Sequence, residues 1–253
     1  MSHVKQHLVQ YLISLGDNPL ILGQRLGEWC GHGPILEVDM ALTNISLDLL
    51  GQTRSYFQYA AELEGEGRTE DDIAFLRQLR EYKNVLLVEQ PNQDFAYTIA
   101  RQFFFDVFHY LFLQELQASN DEQLAAIAAK SIKEVKYHLR FSKDWMLRLG
   151  DGTEESHNKL QHAVNDLWIY VEELYTPSPL DQEMAELGIG VELGNLATPI
   201  QEHIRATLSE ATILIPKKNW PQSGGKMGNH TEHLGYILAE MQYLQRTYPG
   251  AKW

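Results

Sequence analysis

One cysteine in 253 residues, Cys30, has no second cysteine to pair with, so an internal disulfide framework is excluded and a reducing cytoplasm is expected. Long apolar runs are missing as well. No 18-residue apolar stretch occurs, so nothing is expected to span a membrane. The opening MSHVKQHLVQYLISLGDN lacks a cationic start followed by a long apolar core, and does not read as a signal peptide. Positive charge is scarce: 21 Lys and Arg stand against 34 Asp and Glu, a net charge of −13. That balance excludes nucleic acid or an anionic membrane as the main partner, and makes the chain a poor grip for a polyphosphate by itself. A basic protein partner would be attracted to it.

Strand-type alternation is also scarce; apolar residues recur at 3–4 spacing nearly throughout, which predicts an all-α fold. The expected helices run over about 4–15, stopped by Gly16-Asp17-Asn18, and about 19–30, stopped by Gly31-His32-Gly33-Pro34. A long helix follows over about 35–64, with the inward stripe Val38, Leu42, Ile45, Leu49, Gln52, Tyr56, Tyr59 and Leu63. Residues 68–93 read as a short helix and an irregular crossing. Helices over about 94–118, 121–149 and 153–175 come next, with shorter ones near 181–187 and 198–213. A Lys/Gly/Asn-rich loop over 217–229 precedes a last helix over about 230–247. With 44% hydrophobic residues and no linker or repeat, the chain reads as one domain over 1–253: a ferritin-like helical bundle with extra peripheral helices.

Asp106-x-x-His109 lies in the aromatic run FFFDVFHYLFLQEL and is close to the Glu-x-x-His signature of di-iron helices. Such a centre takes Glu from two helices and Glu-x-x-His from two others, because i and i+3 share a helix face. The inward i,i+3 positions are Leu49 and Gln52 on helix 35–64, Asp106 with His109 on helix 94–118, and Val135 and His138 on helix 121–149. Asp106, His109 and His138 can ligate. Leu49 and Val135 have no donor, Gln52 is a weak neutral ligand, and Glu134 sits at the stripe's flank. The residues therefore read as a polar core without a metal site, with a partial site or a working di-iron centre as lesser readings. Without metal a buried Asp106 must pair or take up a proton, and protonated His138 is the expected partner, with His109 or Gln52 completing the hydrogen bonds.

Other signals carry less. His230-x-Glu232-His233 is not a metalloprotease motif and reads as a helix start. The glycine-rich stretch 223–228 lacks P-loop spacing and reads as a surface loop meeting a partner. Cys30 at a helix end reads as inert packing. Phe103, Phe104, Phe105, Phe108, Tyr110 and Phe112 cover every side of their helix, so it is either the central helix or one that meets another subunit on one side.

LGQRLGEWCGH (22–32), LTNISLDLLGQTRS (42–55), LLVEQPN (86–92), KEVKYHLRFSKDW (133–145) and GGKMGNHTEHLGYILAEMQYLQR (224–246) resemble the C subunits of the bacterial phenylacetyl-CoA epoxidases, multicomponent monooxygenases of aerobic phenylacetate breakdown. The resemblance covers nearly the whole chain. It implies a non-catalytic subunit of an NADPH- and O2-dependent epoxidase, paired with a similarly folded A subunit that holds the di-iron centre and binds the CoA thioester. A reductase with flavin and an iron–sulfur cluster, and small subunits, complete the implied complex. The chain itself then needs no cofactor and no catalytic residue. Against the A-subunit pattern, Leu49 stands for a ligand Glu, Gln52 for a ligand His and Val135 for a second Glu, while His138 remains and Asp106 falls at a third-helix carboxylate. The first-helix Glu maps loosely to Gln24–Glu28. A stand-alone oxidase using Asp106, His109, Glu134 and His138 is the alternative, and self-association without the partner stays open.

Overall fold

A computed structural model describes residues 3–217 and 220–251; positions 218 and 219 of the predicted loop lie outside them. The regular structure of the described residues is helical, as the periodicity predicts. In chain order the α-helices are α1 (His3–Gly27), α2 (Leu36–Glu64), α3 (Glu70–Phe75), α4 (Leu86–Glu89), α5 (Phe95–Leu116), α6 (Glu122–Gly150), α7 (Glu154–Leu167), α8 (Val171–Tyr175), α9 (Pro179–Glu186), α10 (Leu193–Glu210), α11 (Glu232–Met241) and α12 (Tyr243–Thr247). They fall into two compact units: residues up to Glu89 together with those from Gly224 onward, and Gln90–Ser223.

In the first unit α1 and α2 pair antiparallel. Thr53 Oγ1 donates to the Gly16 carbonyl (3.1 Å) and Ser46 Oγ to that of Gly23 (2.7 Å). α1 runs straight through the predicted stop at Gly16-Asp17-Asn18 and carries Pro19 inside it. Each stop residue is engaged elsewhere. A Cβ on Gly16 would lie 2.4 Å from Phe57 Cε1, so only glycine lets the helices approach this closely. Asp17 takes the Arg77 guanidinium through both oxygens and the Lys83 N–H at 2.8 Å. Asn18 Oδ1 accepts from the Val85 N–H (2.8 Å). Residues that would punctuate a free helix here fasten a packed one. α2 ends as expected at Gly65, left-handed at φ 69°, its N–H on the Ala61 carbonyl. Its stripe from Val38 to Tyr56 is buried, while Tyr59 and Leu63 are half-exposed. Past α1, Cys30 is exposed rather than packed, and its carbonyl, not its thiol, meets His32 Nδ1 at 3.1 Å.

In the second unit α5 is the central helix. Residues Ala96 to His109 are all buried. Phe104 meets Trp168 at 6.0 Å between centroids and Phe103 meets His203 at 6.4 Å. The chain's own atoms thus cover the aromatic cluster, apart from Tyr110, which is half-exposed. Each of those rings adds about 1.5–3 kcal/mol by leaving water. α6 lies antiparallel to α5: Phe95 packs edge-on against Trp145 (4.9 Å) and Ser142 reaches Asp106. Its buried stripe runs through Leu124, Ala128, Ser131, Val135, His138 and Ser142 and ends on Met146 and Gly150. Asp121 and Thr153 cap α6 and α7 by accepting from the N–H groups of Leu124 and Ser156. Two predicted long helices are broken. The one over 153–175 is interrupted by a 3-10 turn at Trp168–Tyr170, and the last divides at Gln242 into α11 and α12.

Candidate functional site

The candidate ligand positions divide between the units. Leu49 (0% exposed) and Gln52 (2%) lie on α2 of the first; Asp106, His109, Glu134, Val135 and His138 lie on α5 and α6 of the second.

Asp106 has no exposed surface. Its Oδ1 accepts from Gln102 Nε2 (2.7 Å), one turn earlier on α5, and its Oδ2 accepts from Ser142 Oγ (2.7 Å) on α6. Burial pushes the carboxyl up to about 7, against the opposing pull of the His138 charge and of those two hydrogen bonds. His109, one turn on, is buried against Phe105 at 5.0 Å between rings. Its Nδ1 finds no hydrogen-bond partner among the described residues. Burial, then the charge of His138, push it down to about 3, so the ring is neutral. His138 is fully buried on α6 with Val135 beside it, and Glu134 is half-exposed at the flank. The expected pairing with His138 shows only as that opposing pull on Asp106. The carboxylate's hydrogen bonds, however, come from Gln102 and Ser142, not from His109 or Gln52. Both partners were findable: Gln102 precedes Asp106 by four positions, and Ser142 belongs to the inward stripe of α6.

This donor set does not fit a carboxylate-bridged di-iron centre. Such a centre needs several hard oxygen donors facing inward. Within the second unit Val135 supplies none, and Asp106 already spends an acceptor on each of two side chains. What the arrangement can do chemically is tie α5 to α6 through one buried carboxyl.

A second buried carboxylate was missed in the sequence. Glu89, at the end of α4, has no exposed side chain and accepts four hydrogen bonds. Thr231 N–H (2.6 Å) and Oγ1 (2.7 Å) reach Oε1; Asn84 Nδ2 (3.1 Å) and His230 Nδ1 (3.0 Å) reach Oε2. His230 Nε2 meets the Tyr82 carbonyl at 2.9 Å. Both ring nitrogens face oxygen atoms, Glu89 Oε2 on one side and the Tyr82 carbonyl on the other. His230 is thus a clasp holding the C-terminal segment to residues 82–89, and Thr231 caps α11 as predicted. The glycine-rich loop completes it. A Cβ on Gly225 would lie 2.1 Å from the Asn84 carbonyl oxygen, and one on Gly228 2.3 Å from that of Arg80. The loop packs through these glycines on its own unit and leaves Met227 exposed. The signal for Glu89 was an acid inside the apolar run NVLLVEQ.

A sequence model of the family described as "Phenylacetic acid catabolic protein" matches residues 1–253. The chain is 53% identical over 246 residues to a curated protein of Escherichia coli (strain K12) named as the C subunit of 1,2-phenylacetyl-CoA epoxidase, covering 97% of this chain and 99% of that one. None of its helices is long and apolar enough to cross a membrane, among the described residues.

Proposed function

From the chain's membership of the phenylacetic acid catabolic protein family we propose that it is the C subunit of a 1,2-phenylacetyl-CoA epoxidase, a structural component of the complex and not its catalyst. The observation that carries the reading is similarity along nearly the whole length: 53% identity spans 99% of the relative and 97% of this chain. A second support is the donor set. With Leu49 and Val135 at two ligand positions and Asp106 held by Gln102 and Ser142, oxygen chemistry falls to a di-iron A subunit that this chain pairs with and stabilises. A reductase carrying flavin and an iron–sulfur cluster would deliver electrons from NADPH, small subunits would complete the assembly, and the whole would work in the cytoplasm.

Two measurements test this together. The chain purified alone under mild conditions contains well under one iron per molecule and does not consume oxygen with the substrate. Co-expressed with the di-iron subunit, it co-purifies with it and raises that subunit's soluble yield and activity. About two irons per chain with unaided turnover would instead establish a stand-alone oxidase built on Asp106, His109, Glu134 and His138. A di-iron subunit fully stable and active without this chain would remove the structural role.

A further inference from the structure

α6 departs from the charge balance of the molecule. It carries six of the chain's 21 Lys and Arg and only three of its 34 acids. Lys130, Lys133, Lys136, Arg140 and Arg148 are exposed on the face opposite its buried stripe, and half-buried Lys143 meets Glu210 at 3.4 Å. Lys130, Lys133 and Lys136 make no ion pair among the described residues, in a chain where acids outnumber bases. Aromatic rings are interleaved with the cations. The Arg140 guanidinium lies over Tyr137 at 5.6 Å, Tyr137 is 40% exposed, and Phe141 follows it at 6.3 Å between rings. Arg148 lies over Trp145 at 5.4 Å. Tyr and Arg are among the residues most enriched at interface hot spots, and stacking holds the arginine ready in one place.

We infer that this face of α6 is the docking surface for an acidic protein, a separate component of the complex named above; the inference rests on that reading. Size argues for a protein rather than a small phosphate ligand. From Lys130 to Arg148 the helix extends about 27 Å. That is close to the width of a standard interface of about 800 Å² per partner. A nucleotide-sized ligand would engage two or three of these cations and leave the rest without purpose. Charge argues against nucleic acid, because the remainder of the chain is strongly negative and repels a polyanion that outgrows the stripe. An acidic protein patch of matching size meets the cations and stops there. The cations would mainly speed encounter, while Tyr137 and Arg140 would hold the docked state.

The test measures binding of the intact chain to each purified component of the complex at about 50 and 200 mM NaCl, for the native protein and for the K133E/K136E/R140E variant. All three substituted side chains are exposed, so thermal unfolding should match the native chain. The expected result is that one acidic component loses at least tenfold in affinity with the variant, while the others bind unchanged. The native affinity for that component falls as salt rises, and Tyr137→Ala weakens it at both salt concentrations. Equal binding of every component to native and variant chains overturns the inference while leaving the subunit reading intact. So does a variant whose loss is confined to coenzyme A, to heparin or to self-association. Failure of every component to bind the native chain removes the subunit reading and this inference with it.

Discussion

Asp106 and Glu89 are both buried carboxyls, and their surroundings set them apart. Glu89 accepts four hydrogen bonds, enough to occupy its lone pairs; Asp106 accepts two and is pushed up to about 7 by burial. Because the folded state binds the Asp106 proton more tightly than the unfolded one, its contribution is fully present below about 3.8 and lost as pH rises through about 7. His109, pushed down to about 3 from 6.5, works in the opposite sense: its contribution is present above 6.5 and lost as pH falls. The two oppose each other between roughly pH 4 and 6.5, so the native profile alone cannot separate them. Asp106→Asn does. Its amide oxygen still accepts from Gln102, and Ser142 can accept from the amide nitrogen while donating to the Leu139 carbonyl, which it already approaches at 3.3 Å. Urea unfolding should show the variant gaining on the native chain from pH 4 to pH 8, by on the order of 3 kcal/mol. A difference that stays flat over that range would mean the carboxyl is ionised in the fold at all these pH values. Glu89→Gln should behave differently. An amide cannot accept all four bonds, so buried donors among Asn84, His230 and Thr231 are left unpaired, and a loss of about 1–3 kcal/mol for each is expected. A loss under about 1 kcal/mol would show that the clasp holds nothing.

At the scale of helices, two glycines give opposite predictions. Gly16 lies under Phe57, so Gly16→Ala should cost about 1–3 kcal/mol, seen as a fall of about 2–4 °C in Tm for each kcal/mol. Gly51 is exposed on α2, and a Cβ added there would meet nothing within 4 Å, so Gly51→Ala should raise stability by about 0.5–1 kcal/mol through helix propensity alone. Equal effects at the two positions would refute the packing account of α1. The same residues show what could be read in advance. α2, α5 and α6 were legible because their stripes persist over many turns, and because Asp121, Thr153 and Gly65 signal their ends locally. Gly16-Asp17-Asn18 misled because its meaning lies in partners at Phe57, Arg77 and Val85, dozens of residues away. Breaks at Trp168 and Gln242 leave the apolar periodicity almost untouched and were invisible for that reason. That Leu49 and Val135 carry no ligating atom follows from residue type alone. The tether through Ser142 needed the α5–α6 register, and the Glu89 clasp needed the C-terminal segment in place.

The whole molecule carries −13, and the cations of α6 sit within that negative field. These facts assign opposite signs to one variable. Between about 10 and 150 mM salt the Debye length falls from about 30 to about 8 Å, which screens repulsion among acids spread over the chain. Stability of the isolated protein should therefore rise with salt, by a few degrees in Tm. Over the same interval, association of the α6 face with an acidic partner should weaken, chiefly through a slower on-rate, because steering depends on the same screened field. The proposed pairing with a di-iron subunit, if it buries apolar surface, should respond little to salt. Calorimetry of the chain and binding kinetics of each component, run in one salt series, distinguish the three responses. If every association strengthens with salt alongside the Tm, charge plays no part in assembly and apolar contact alone must account for it. If one weakens while another holds, the chain joins its partners through two surfaces of different chemistry, and α6 supplies the charged one.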